Sequence, residues 1–338
     1  MIDLKQYWWP LATLSELDAQ QPLARSLHDV PLVLFRNHSG KPAALLDRCP
    51  HRHAPLSSGR VHQGEVECPY HGWRFDGKGC CTRVPGLESD PGRHPLLQPV
   101  SACEAHGLVW GCLSLNASTP APVAPSVVGD HLDSFFMIDC VTCTITAAAE
   151  NFLDGFHTHF VHAGWIRRDS KRQHVKVRVR PLKDGVEAQY SNENLQSGLI
   201  SSLLEPERTE SMGRFRMPCV AEIEYRGRNG LNLLITAWLT PEIGERLRIH
   251  AQIATRKGLI PGWIKKILLT RLFGVILRQD KTILEQTQAN IANFEQNRQP
   301  ELRAKFLDSP LDLLGPFIRR LMDGKTLEEI DSNIVVRL

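Results

Sequence analysis

The sequence predicts an α+β chain: a small all-β domain at the N-terminal end, then a second domain of helix, antiparallel sheet and long helix. Three observations carry this expectation. Short apolar runs broken by turn residues crowd the first 115 positions. Three prolines fall within Ala117–Ser126 and mark an extended connector. Beyond it, strand-like runs precede one long helical pattern from about Pro261 to Phe294. The expected boundaries are 1–116 for the first domain, 117–126 for the connector and 127–338 for the second domain. At 338 residues the chain is long enough for two real cores.

In the first domain, Val30–Arg36 and Ala43–Asp47 read as strands joined by a polar turn from Asn37 to Lys41. Trp73–Gly79 reads as a strand entering a tight turn, and His106–Leu113 as another strand. In the second, Phe135–Thr146 alternates into a helical stretch, Ala147–Val161. Strands are then expected at Val175–Val179, Val186–Tyr190, Val220–Tyr225, Leu231–Leu239 and Leu247–Ile253. Pro261 suits the first turn of the last helix.

Composition is that of an ordinary globular protein, with 42% hydrophobic and 23% charged residues. A net charge of +3, with scattered cations and no stacking series of aromatics, argues against a nucleic-acid partner. The apolar run Gly258–Leu277 is interrupted by Lys265, Lys266 and Arg271, so a spanning helix is not expected there, while surface contact stays open. Met1–Gln6 shows no basic region followed by an apolar stretch. The nine cysteines lack disulfide-scaffold spacing, and a cytoplasmic setting is expected.

Two constellations carry chemistry. Cys49-Pro50-His51 and Cys68-Pro69-Tyr70-His71 each pair one thiol with one imidazole on a short loop. Two thiolates and two imidazoles suit a [2Fe–2S] centre of Rieske type, with histidines on one iron. A Cys2His2 zinc site is the alternative donor chemistry, but zinc fingers group two cysteines and then two histidines. The second constellation, Glu150–His162, packs two acids and three histidines into thirteen residues. On a helix Asp154 and His157 share a face. His162 converges with His157 only if the helix bends or ends near Phe160, which leaves His159 as a rival ligand. Asp280 falls inside the apolar stripe of the last helix, where a carboxylate needs a metal or a cation. A salt bridge across the core is its other reading. Two histidines and one carboxylate form the facial triad of non-haem Fe(II) sites.

Cys49-x-His51 with Cys68-x2-His71, together with Asp154-x2-His157-x4-His162, resemble the terminal oxygenase component of Rieske non-haem iron oxygenases. The style is nearest to the dicamba and vanillate demethylase branch. The helix carrying Arg278–Gln286 resembles the one that delivers the third iron ligand. The resemblance implies a helix-grip (START-like) second domain, cluster ligands Cys49, His51, Cys68 and His71, and Fe(II) ligands His157, His162 and Asp280. It implies that Asp154 bridges the two centres between subunits of a homotrimer, receiving electrons from His71 of a neighbouring chain. It further implies O2 as co-substrate and a small aromatic or polycyclic molecule hydroxylated or oxidatively demethylated. Cis-dihydroxylation of a ring is the alternative outcome at the same iron. A Rieske electron carrier with a ligand-binding domain is the alternative of another class. The chain shows no GxGxxG fingerprint and no Cys-x4-Cys-x2-Cys run. NAD(P)H is therefore expected to act indirectly, through a flavin reductase or a ferredoxin.

Overall fold

The computed structural model describes residues 3–88, 94–114, 121–193, 196–204, 208–296, 306–327 and 332–338. The chain divides into two compact units. One comprises Asp3–Ala124 with Thr240–Glu245, the other Pro125–Leu239 and Arg246–Leu338. Residues 117–120 of the expected connector lie outside the described residues. Residues 121–125 form no regular element, and the Ser126 N–H then donates to Glu222 at 3.0 Å.

The first unit is all β. Its larger sheet holds β1 (Trp9–Thr13), β2 (Leu23–Leu27), β3 (Val30–Arg36) and β4 (Pro42–Leu46). The smaller one holds β5 (Arg60–His62), β6 (Glu65–Glu67), β7 (Arg74–Phe75) and β8 (Cys81–Arg83); β9 (Pro99–Ala105) and β10 (Leu108–Cys112) return to the first. The six-stranded order is β1-β10-β9-β4-β3-β2, and the four remaining strands run β5-β6-β7-β8. Val33, Phe35 and Leu45 of the larger sheet pack with Leu56, Val66 and Phe75 under the cysteine loops, and Cys49 and Cys68 belong to the same cluster. Each large side chain here that is wholly withdrawn from water stabilises the unit by roughly 1.5–3 kcal/mol. The loops carrying the thiols therefore sit on a rigid floor.

The second unit is one antiparallel sheet with helices. It contains β11 (Leu132–Thr142), α1 (Ile145–Leu153), β12 (His174–Leu182), β13 (Gly185–Ser191) and α2 (Leu199–Leu204). There follow β14 (Arg208–Arg216), β15 (Val220–Gly227), β16 (Gly230–Pro241), β17 (Arg246–Arg256), α3 (Gly262–Glu295), α4 (Gly315–Met322) and β18 (Ser332–Arg337). The sheet order is β11-β17-β16-β15-β14-β13-β12-β18. Leu269 and Phe273 of α3 pack against Leu233 and Ile253 of the sheet. The expected α+β class is what the structure has: an all-β unit, then an antiparallel sheet gripping one long helix. Strand alternation is clear in β12, where Val175, Val177 and Val179 are buried between exposed neighbours.

One expected element is corrected. The helix read over 147–161 ends at Leu153. Its start is fixed by Thr144, whose Oγ1 accepts from the Ala147 N–H at 3.1 Å. Its end is fixed by Asp154, which adopts an extended backbone and turns its carboxylate onto the N–H groups of Phe156 and His157. An aspartate bonding the backbone ahead of it competes with helix continuation. A separate 3-10 turn, His157–His159, follows.

Candidate metal centres

The two cysteine loops have the same backbone design. The Cys49 N–H donates to Ala54 O at 2.9 Å and the His53 N–H returns to Cys49 O at 2.8 Å. In the second loop the Cys68 N–H donates to Trp73 O at 2.8 Å and the Gly72 N–H to Cys68 O at 3.0 Å. The fourth residue after each cysteine is left-handed, His53 at φ 59° and Gly72 at φ 69°. This closes each loop so that cysteine and histidine project from the same turn. Both thiols are buried, whereas His71 is exposed and Tyr70 beside it is also exposed. The imidazoles of His51 and His71 lie 4.6 Å apart by ring centroid, and Trp73 stacks on His51 at 4.8 Å. Burial pushes the Cys49 thiol up to about 11, helped by the neighbouring Cys68 thiol and opposed by backbone N–H groups of His51 and Arg52. A buried thiol pair of this kind becomes thiolate only with a cation to hold it. His51 Nδ1 is buried with no hydrogen-bond partner among the described residues. That orphaned nitrogen beside two thiols fits an iron–sulfur cluster in this loop pair.

The second constellation is built by three segments. After α1 stops, the 3-10 turn brings His157 forward, the chain continues to a buried His162, and Asp280 comes from the middle of α3. His157 Nε2 lies 3.4 Å from Asp280 Oδ1 and His162 Nε2 lies 3.0 Å from the same oxygen. One donor atom from each of the three residues falls within 4.8 Å of the others. The expected convergence of His157 and His162 occurs because the helix ends before either of them, not near Phe160. His159 goes elsewhere: it is buried, and its Nδ1 lies 3.2 Å from Phe156 O. Burial holds its imidazole below the ordinary range, with Arg172 adding to the effect. The salt-bridge reading of Asp280 does not hold either, since its partners are the two histidines and Asn151 rather than an arginine.

The charge balance of this group suits a cation. Burial opposes charge on His157, but hydrogen bonds to Asp154 and Asp280 outweigh it and lift the imidazole to about 9. Asp280 is drawn down to about 2, burial opposing and the two histidines prevailing. Carboxylates thus hold positive charge where the Nε2 atoms converge, the place a divalent ion takes when it displaces protons.

Neutral side chains that sequence reasoning passed over fix these groups. Gln279 Oε1 lies 2.9 Å from His162 Nδ1, and Asn151 Nδ2 donates to Asp280 Oδ1 at 2.9 Å. If Gln279 Oε1 accepts from Nδ1–H, His162 keeps its Nε2 lone pair for the centre. Asp154 Oδ2 stands 3.4 Å from His157 Nδ1 and accepts from the His157 backbone at 3.0 Å. His157, His162 and Asp280 border a cavity of about 170 Å³ whose walls are largely apolar. Leu233, Ile235, Ala237 and Leu239 of β16 face it on alternate positions, and Phe273 and Ile276 of α3 close the other side. Of the apolar residues of the expected strand Leu231–Leu239, Leu233, Ala237 and Leu239 line the cavity, while Leu231 and Leu234 pack in a separate cluster.

Residues 7–101 match the family model of the Rieske [2Fe-2S] domain, and residues 141–323 match that of the vanillate O-demethylase oxygenase C-terminal domain. The oxygenase component of dicamba O-demethylase from Stenotrophomonas maltophilia is 32% identical over 169 residues, 48% of this chain and 49% of that protein. The 4beta-methylsterol monooxygenase of Methylococcus capsulatus is 35% identical over 166 residues, covering 46% and 44% respectively. The chain thus spans about half the length of these relatives. A crystal structure of dicamba monooxygenase bound to dicamba superposes with a TM-score of 0.81 over 96% of this chain and 98% of that one, at 22% identity.

Proposed function

Because the chain belongs to the Rieske non-haem iron oxygenase family, with its vanillate O-demethylase type C-terminal domain, we propose that it is a terminal oxygenase. It would use O2 and electrons from a separate reductase to hydroxylate or oxidatively demethylate an aromatic or polycyclic small molecule. The observation that carries this reading is the placing of His157, His162 and Asp280 at the border of an apolar cavity. A facial set of two imidazoles and one carboxylate leaves positions on iron open for O2, and an apolar cavity beside it suits a ring substrate.

In this reading Cys49, Cys68, His51 and His71 hold the cluster, and His157, His162 and Asp280 hold Fe(II). When bound, the cluster supplies electrons singly and the iron supplies the site of O2 reduction beside the substrate. The protein's own part is orientation and exclusion of water. Gln279 fixes the ring of His162, and Asn151 and the two histidines hold one oxygen of Asp280. Leu233, Ala237 and Phe273 keep the reacting carbon in a dry environment. His71 is exposed and the Asp154 side chain is 38% exposed, so both are open to a second copy of the chain. That supports electron entry from His71 of one subunit through Asp154 of the next in a homotrimer.

The test is O2 uptake with a surrogate reductase and ferredoxin across aromatic acids, aryl ethers and polycyclic compounds. At least one class is expected to raise uptake and yield product carrying oxygen from labelled O2. A protein that accepts electrons yet shows no substrate-dependent uptake with any class would contradict the proposal. Product analysis separates monooxygenation from dihydroxylation.

A further inference from the structure

The first half of α3 carries large apolar side chains on two faces, with Lys265, Lys266 and Arg271 between them. Leu269 and Phe273 are buried against the sheet, yet the opposite side of the same turns presents Trp263, Ile267 and Leu268 to solvent, 67%, 48% and 51% exposed. At 100° per residue these three positions lie roughly 100–160° away from Leu269, off the packed face. An exposed cluster of large apolar side chains marks a contact surface. The loop ahead of the helix extends the cluster: Leu259 is fully exposed and Ile260 is half exposed. Further along, the outer face becomes ordinary, with Arg278 exposed and Lys281 paired to Asp139 at 3.2 Å.

Charge says what covers the cluster. Between positions 256 and 279 the chain carries six cations, Arg256, Lys257, Lys265, Lys266, Arg271 and Arg278, and no acid. Lys265 is engaged by Asp133 at 2.7 Å, and Arg256 donates to Asn229 O. Lys257, Lys266 and Arg271 are exposed around the apolar residues. A tryptophan and aliphatic side chains ringed by lysine and arginine match the boundary between lipid chains and anionic headgroups. No helix of the described residues is long and apolar enough to cross a membrane, so this segment would lie on a surface.

We propose that Leu259–Leu268 is a peripheral docking surface for an anionic lipid membrane. Leu259, Ile260, Trp263 and Ile267 seat at the acyl boundary, and Lys257, Lys266 and Arg271 meet the phosphates. The arrangement stands independently of the metal centres.

The test is flotation of the full-length protein with phosphatidylcholine vesicles, with and without phosphatidylglycerol. The protein floats with the anionic vesicles, and raising salt releases it. Leu259→Glu with Trp263→Glu lowers the partition by more than about tenfold, and Lys266→Glu with Arg271→Glu abolishes the preference for anionic lipid. All these side chains are exposed, and an unchanged melting curve and cluster spectrum establish that the variants fold. Absence of flotation, or flotation that these substitutions leave intact, overturns the proposal. So does a change in oligomeric size, which would make the face a contact between copies of the chain. Loss of reductase-driven electron uptake in vesicle-free solution would make it a redox-partner face and overturns the proposal equally.

Discussion

Replacing Asp154 with asparagine changes one charge and one acceptor at the point where the ligand loop is organised. The carboxylate accepts from the Phe156 N–H at 2.7 Å and the His157 N–H at 3.0 Å, and stands 3.4 Å from His157 Nδ1. Asparagine keeps one oxygen, so one of the two backbone bonds survives and the other acceptor becomes an NH2 donor. Loss of a hydrogen bond to a charged acceptor costs roughly 1.5–3 kcal/mol; the 38% exposure of this side chain points to the low end, about 1.5 kcal/mol. For a unit of this size that lowers the melting temperature by about 3–6 °C. The fold and the metals should survive. Turnover should not: a carboxylate orienting a ligand histidine is worth about 10–100-fold in activity or metal affinity. The assay is iron content, melting temperature and reductase-coupled turnover on one preparation of Asp154→Asn. Turnover within twofold of wild type, with iron retained, would refute the assignment of Asp154 to electron entry. Loss of turnover in proportion to lost iron would refute it too, because Asp154 would then serve only ligand binding.

Two further perturbations test the frame around the sites. Burial opposes ionisation of Glu187, but hydrogen bonds from Arg214 and Arg180 outweigh it and hold its carboxyl below the ordinary glutamate range. A depressed folded value means that its stabilisation is complete above about pH 4.5 and is lost as pH falls through the folded value. Glu187→Gln should therefore destabilise at neutral pH, with the two stability curves converging in acid; parallel curves in denaturant titrations would contradict this. In the cluster domain, Gly79 sits at φ 78° and a Cβ there would lie 2.1 Å from Leu97 O, whereas Gly40 at φ 72° has nothing within 4 Å. Gly79→Ala should cost about 2–5 kcal/mol and Gly40→Ala about 1–2 kcal/mol, read as loss of the cluster spectrum on heating. Equal effects would mean that backbone strain alone, and not the approach to Leu97, sets the requirement.

The sequence made the first site legible because its four donors sit on two short loops, so no long-range geometry was needed to group them. Asp280 was legible for a different reason: a carboxylate inside an apolar helical stripe is expensive without a partner. The end of α1 was not legible. It depends on Asp154 choosing the N–H groups of Phe156 and His157, a local competition that hydrophobic periodicity does not register. Strand β14 escaped notice because its cavity-facing positions include Ser211 and Gly213, so it lacks the apolar alternation of β12. Asn151 and Gln279 are uncharged amides that look like surface residues until the fold places them on Asp280 and His162. The strand at Trp73–Gly79 shrank to Arg74–Phe75, since the cluster loop before it and the Asp76–Gly79 turn after it take up the remaining residues.

The central claim is that His157, His162 and Asp280 hold one iron in addition to the two of the cluster. Iron and sulfide analysis of the purified protein, beside Asp280→Ala, tests it most directly. Wild type should contain ~3 irons per chain and the variant ~2, with an unchanged cluster spectrum and no O2 uptake. Two irons in fully active wild type, or a third iron retained by Asp280→Ala, would contradict the account.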